Sequence, residues 1–110
     1  MALENLPRDP REAMRILGEE LLVLEAEQSA HGWRHMTVVL GDIESAEDEA
    51  RWLAFEHGAR QLLDGHRHWW RSGHEWVSVA VGPPDAQAVV IALGELGQAV
   101  GAFEVRERIA

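Results

Sequence analysis

The chain has no cysteine, no lysine and no tyrosine. Without cysteine there can be no disulfide, no thiolate nucleophile and no zinc–thiolate centre. Without lysine there is no Schiff-base amine and no phosphate-loop ammonium; all ten basic residues are arginine. No run of 18 or more apolar residues occurs, so no segment reads as a membrane span. Residues 1–10 lack a basic start followed by an apolar stretch, so no secretory signal is expected and the reading is cytoplasmic. Cations are also scarce, and the net charge is −9. Binding to a phosphate backbone draws its affinity from cationic residues that release counterions, so nucleic acid is not expected as a partner.

What is present fits one domain, 1–110, of 110 residues with 46% hydrophobic content. The charge is uneven. Residues 1–64 hold fourteen acids and six arginines, whereas residues 65–110 hold five acids and four arginines. Asp9-Pro10 with Glu12 reads as a capped helix start. Met14, Leu17, Leu21 and Leu24 recur at helical spacing, which predicts a helix over 10–30 stopped at Gly32. Residues 35–42 are β-branched and apolar and predict a strand. Ser45 then caps a helix to about Asp64, with Trp52, Phe55, Ala59 and Leu62 as its buried stripe. Strands are expected at 66–70 and 74–80, a helix over 84–99, and a last strand over 103–109.

That order predicts an α+β chain. A ferredoxin-like βαββαβ sandwich over 34–110 would have a four-stranded antiparallel sheet with two helices on one face. The helix over 10–30 is extra, and either covers the open face or packs on a partner.

The Trp/His-rich segment from His66 to Ser78 is the most unusual stretch. Gly73 at the end of an Arg71-Ser72-Gly73 loop suits a type I turn closed by a bulge. That register pairs Trp70 with His74 and His68 with Trp76, on the face opposite Val77 and Val79, and sends Trp69 to the valine side. Arg106 and Arg108 on the last strand would join the open face. Trp70, Trp76, His68, His74, Arg106 and Arg108 are therefore the candidate binding residues. The bland alternative is cross-strand packing or self-association.

His66, His68 and His74 are the alternative catalytic or metal-ligating set, since three imidazoles can hold zinc or copper. An H-x-H pair is common by chance, so neither a metal nor any other cofactor is expected. Asp42, Glu44, Glu47, Asp48 and Glu49 form an acidic patch at a helix start. They complement the helix dipole or meet a basic protein partner, helped by Glu19, Glu20, Glu25 and Glu27. Gly94, Gly97 and Gly101 punctuate the third helix, where close packing on the sheet explains them.

The run from His66 to Val81 resembles the central segment of pterin-4a-carbinolamine dehydratases. His66 matches the first histidine of that family's His-His-Pro motif, Trp70 its aromatic residue, and Val77, Val79 and Val81 its alternating strand. Arg67 stands at the second histidine, His68 at the proline, and Pro84 about where a further histidine belongs. The resemblance implies a degenerate relative. The residues themselves favour a small acidic, non-catalytic binding protein acting by protein–protein contact as an inhibitor, adaptor or regulatory subunit, with self-association into a homo-oligomer. The alternative is a small-molecule enzyme with a pocket on the open sheet face.

Overall fold

Val77, Val79 and Val81 alternate along one strand and need an apolar layer to bury them. In the computed structural model, which describes residues 9–18 and 32–108, two helices supply that layer. The chain runs α1 (10–18), β1 (Arg34–Val39), α2 (Ala46–Leu63), β2 (His68–Ser72), β3 (Trp76–Val81), α3 (Ala86–Ala99) and β4 (Glu104–Arg108). It is an α+β protein with a four-stranded sheet in the order β2-β3-β1-β4, every pair antiparallel. Residues 19–30 of the first expected helix, Glu19, Glu20, Glu25 and Glu27 among them, lie outside the described residues, as does Ile109. Among the described residues no helix is long and apolar enough to cross a membrane.

The core lies between the sheet and α2 with α3. Met36, Val38, Val77, Val79 and Val81 meet Trp52, Phe55, Ala59 and Leu63 of α2 and Val90 and Leu93 of α3. Leu62, expected in the stripe of α2, packs against this cluster half-buried while Leu63 is buried. Ser45 caps α2, its Oγ accepting from the Asp48 amide at 3.1 Å. Gly94 and Gly97 let α3 sit close to the sheet. A Cβ at Gly97 would stand 3.0 Å from both Val38 and Val105.

The hairpin departs from the sequence expectation. Trp70 pairs with Val79 rather than His74, Arg71 with Ser78, and His68 with Val81. Residues 71 and 72 belong to β2, and the turn moves to Gly73–Trp76, closed by the Gly73 amide donating to the Trp76 carbonyl at 3.0 Å. Contacts from outside the hairpin and within it fix it there. The amides of Leu40 and Gly41 both donate to the Glu75 carbonyl, at 2.7 and 2.9 Å. The Trp76 indole lies across Gly73, where a Cβ would stand 2.4 Å from its Nε1. The register differs from the expected one by an odd step, so every β2 side chain exchanges faces relative to β3.

The second face of the sheet carries a polar layer. Thr37 and Ser78 are opposite in register, buried, and share a hydrogen bond of 2.8 Å. His35 and Trp76 are buried beside them. Helix α1 lies on this face. Arg15 and Ile16 are buried, and a Cβ on Gly18 would stand 2.4 Å from Cη2 of Trp76. Arg11 ties its start to the end of the sheet through ion pairs with Asp42 and Glu75. The hydrogen bond to Glu75, then the charge of Asp42, hold the Arg11 pKa above its ordinary value.

Candidate functional site

The new register divides the residues expected on one face. Trp70 faces the helices and meets the Phe55 ring, centroids 6.3 Å apart. His68 is on the same side as Trp70 and is exposed. Trp76 faces the other way and is only 5% exposed, under α1. His74 sits exposed in the turn, beside Arg11 and Asp42. In β4, Arg106 pairs with Thr37 and Arg108 with His35, which puts both positions on the polar face. Glu12 of α1 reaches that face too. The Arg15 hydrogen bond, with the charge of Arg106 adding, keeps its carboxyl below the usual range.

The three histidines do not converge. His66 and His68 line one cleft, while His74 lies at the far end of β2. Among the described residues no three histidine or carboxylate groups are grouped as a metal would require. His68 Nδ1 donates to the His66 carbonyl at 2.9 Å, which leaves Nε2 as the outward nitrogen.

The acidic patch also divides. Asp42 is taken by Arg11. Asp48 accepts from the Glu44 amide and from Arg51. The Glu44 amide, then the Ser45 hydroxyl, hold its carboxyl below the usual range. Glu44, Glu47 and Glu49 remain exposed around the start of α2.

What the structure brings together is the outer edge of the sheet. Among the described residues, strand β2 has β3 on one side and no strand on the other. The Gly73–Trp76 bond and the Gly82 amide donating to the Arg67 carbonyl at 2.9 Å set the phase of the ladder. Hydrogen-bonded pairs alternate along an antiparallel ladder. Arg67, Trp69 and Arg71 therefore turn their backbone groups toward β3, and His68, Trp70 and Ser72 turn theirs to the free edge.

Side chains along this edge are aromatic and cationic. Trp69 is 41% exposed on the polar face. Arg67 is exposed beside it and lies over the Trp33 ring, 5.6 Å from the centroid. Trp33 in turn lies flat across Gly82, where a Cβ would stand 2.9 Å from its ring. On the helix side a cleft of about 620 Å³ opens between α2 and β2, walled by Glu56, Arg60, Leu63, Asp64, His68 and Trp70.

The opposite edge differs. Four of the five β4 residues, Glu104, Arg106, Glu107 and Arg108, are charged with both signs present. Mixed charge on an edge is a common guard against unwanted strand pairing. The β2 edge carries charge of one sign only, from Arg67 and Arg71, beside an exposed tryptophan.

Trp69 is the residue that sequence reasoning misplaced. The period-two pattern did identify it as a strand residue, but its face depends on the turn, and the turn is set by Leu40 and Gly41 far away in sequence. The buried polar layer of His35 and Thr37 in β1 and Ser78 in β3 gave no local signal, because a polar residue at alternate strand positions reads as solvent-facing. Comparison with known protein families, with characterised proteins and with solved structures finds no match.

Proposed function

We propose that this chain is a non-catalytic binding protein that docks another protein by strand addition to the β2 edge. One observation carries the reading. Among the described residues, the strand turns the backbone groups of His68, Trp70 and Ser72 to an edge with no strand beside it, next to an exposed tryptophan. Main-chain hydrogen bonds along such an edge give affinity, and side chains on alternate positions give selectivity. The framework is a ferredoxin-like sandwich with an added helix. The antiparallel order β2-β3-β1-β4 and the shared core of α2 and α3 support this. A ferredoxin-like frame carries no function of its own. Absence of cysteine fits a cytoplasmic setting.

An enzyme with a pocket on the polar face fits less well, because α1 occupies the region over Trp76. The cleft between α2 and β2 is the better place for a small molecule. It places His66, His68 and Glu56 against Trp70, and it would also receive side chains from a docked strand.

Two variants test the edge. His68→Pro removes an outward amide at the first residue of an edge strand, where proline leaves the β2–β3 ladder intact. Trp69→Ala removes the exposed indole. Immobilised wild-type protein is expected to retain proteins from source-cell extract that both variants lose, with Glu107→Ala on the other edge unchanged. Identical capture by wild type and both β2 variants would contradict the reading.

A further inference from the structure

We propose, resting on the edge-docking reading, that the strand received by β2 is an extended acidic peptide. Its pattern would be acid, any residue, apolar residue, any residue, acid. Charge and phase together lead to this pattern. Residues 65–74 contain no acid, although the chain has nineteen acids against ten arginines. The charged side chains that this segment puts on the polar face, Arg67 and Arg71, are thus cationic, whereas Glu56 and Asp64 line the cleft on the helix face.

The phase of the ladder then assigns positions. His68, Trp70 and Ser72 offer their backbone groups outward, so they would form the hydrogen-bonded pairs with a guest strand. Arg67, Trp69 and Arg71 would fall in the non-hydrogen-bonded pairs, where side chains of opposed residues approach most closely. All three project on one face, at alternate positions. A guest residue opposite Arg67 and another opposite Arg71 would be four apart, with one opposite Trp69 midway. Carboxylates suit the outer two positions and an apolar side chain suits the middle one. Arg71 already has a partner within the chain, so a guest carboxylate there would share or replace that contact, and Arg67 is the main cationic anchor.

A second copy of this chain fits less well. Pairing this edge with itself would bring Arg67 and Arg71 of each copy together with no acid between them. The charged β4 edge of another copy lacks the acid–apolar–acid alternation, since its alternate positions read Glu104, Arg106 and Arg108.

The test uses the intact chain and fluorescence anisotropy with labelled synthetic peptides. The probe contains Glu-Thr-Val-Thr-Glu. Its controls are Lys-Thr-Val-Thr-Lys and the acidic probe methylated on both threonine amides. A uridine oligonucleotide serves as the nucleic-acid control. The acidic probe is expected to bind, with its affinity falling as salt rises. The lysine and methylated peptides are expected to bind at least tenfold more weakly. Arg67→Glu should weaken the acidic probe about tenfold, and Arg67→Lys should restore most of that. Equal binding of the lysine peptide, unchanged binding of the methylated peptide, or tighter binding of the oligonucleotide would overturn the proposal. Failure of the acidic probe to bind would overturn it as well. If His68→Pro still abolishes protein capture in that case, the edge reading survives and only the acidic partner falls.

Discussion

Phe55→Ala is expected to cost about 3–5 kcal/mol of folding stability, the range for a fully buried aromatic residue cut back to a methyl group. Phe55 has no exposed surface and stands at the centre of the cluster joining α2 to the sheet. Its loss removes transfer free energy and leaves a cavity under Trp70, whose ring it meets. The total stability of a domain this size is about 5–15 kcal/mol, so the variant would be close to unfolding. Urea denaturation with a matched wild-type control measures the effect. A cost below about 1 kcal/mol would mean that α2 does not pack as described. A subtler consequence concerns the edge. Because Trp70 rests on Phe55, even a folded variant should hold β2 less firmly, and its amides should exchange faster than those of β4.

The second large effect concerns the other side of the sheet. Trp76→Ala is expected to cost a comparable amount, about 3–5 kcal/mol, because the indole is buried between α1 and the hairpin. The mechanism is local as well as global. Two glycines make room for this ring, Gly18 in α1 and Gly73 in the turn, and a Cβ at either would lie 2.4 Å from it. Gly18→Val therefore offers a cleaner probe. It leaves the apolar core intact and pushes α1 away from Trp76. In both variants hydrogen exchange in α1 is expected to rise sharply, while α2 and α3 in Gly18→Val keep wild-type protection. Unchanged protection of α1 in both variants would show that Trp76 does not anchor the helix. Arg11 provides the other tether, through Asp42 and Glu75, but ion pairs this exposed contribute little alone.

Much of the frame could be read from local chemistry. Ser45 and the acidic turn after it announce α2, and Gly101 ends α3 with a positive φ of 87°. The alternation of Val77, Val79 and Val81 marks a strand with one buried face, and the structure buries that face as its pattern requires. Gly94 and Gly97 fall where α3 meets Met36, Val38 and Val105. Each of these signals lies within a few residues of what it specifies.

The hairpin shows where such signals stop. Arg71-Ser72-Gly73 has good turn chemistry, yet the chain turns at His74 and Glu75. Nothing local disfavours the first choice. The decision comes from Leu40 and Gly41, whose amides need the Glu75 carbonyl, and from the indole of Trp76, which needs a glycine beneath it. The first of these is a tertiary demand and the second a local one, and together they outweigh the turn preference of Arg71-Ser72-Gly73. The cost to a sequence reading is disproportionate, because an odd step exchanges both faces of β2 at once. It moves Trp70 into the core and Trp69 out to the edge. Trp70 and Trp76, paired in the sequence reading as one binding surface, are then two packing residues on opposite faces. The exposed aromatic residue is Trp69. His68 remains at the edge, but for its backbone and for the cleft it lines with Trp70.

Acidity takes a second meaning from this arrangement. Part of the cluster around α2 has structural work, with Asp42 latching α1 and Asp48 closing the helix start. Glu44, Glu47 and Glu49 stay exposed around the start of α2. Arg67 and Arg71 on the polar face would draw the acids of an approaching chain toward β2 over a distance of about 8 Å at physiological salt.

Site-specific photo-crosslinking in the source cells tests strand addition at β2 most directly. A photoreactive side chain at Ser72, exposed and at the free edge of β2, is compared with one at Glu107 on β4. The expected result is a discrete higher-mass adduct from position 72, lost when His68→Pro is added, and none from position 107. An adduct from position 107 alone, or one from position 72 that survives His68→Pro, would contradict docking on the β2 edge.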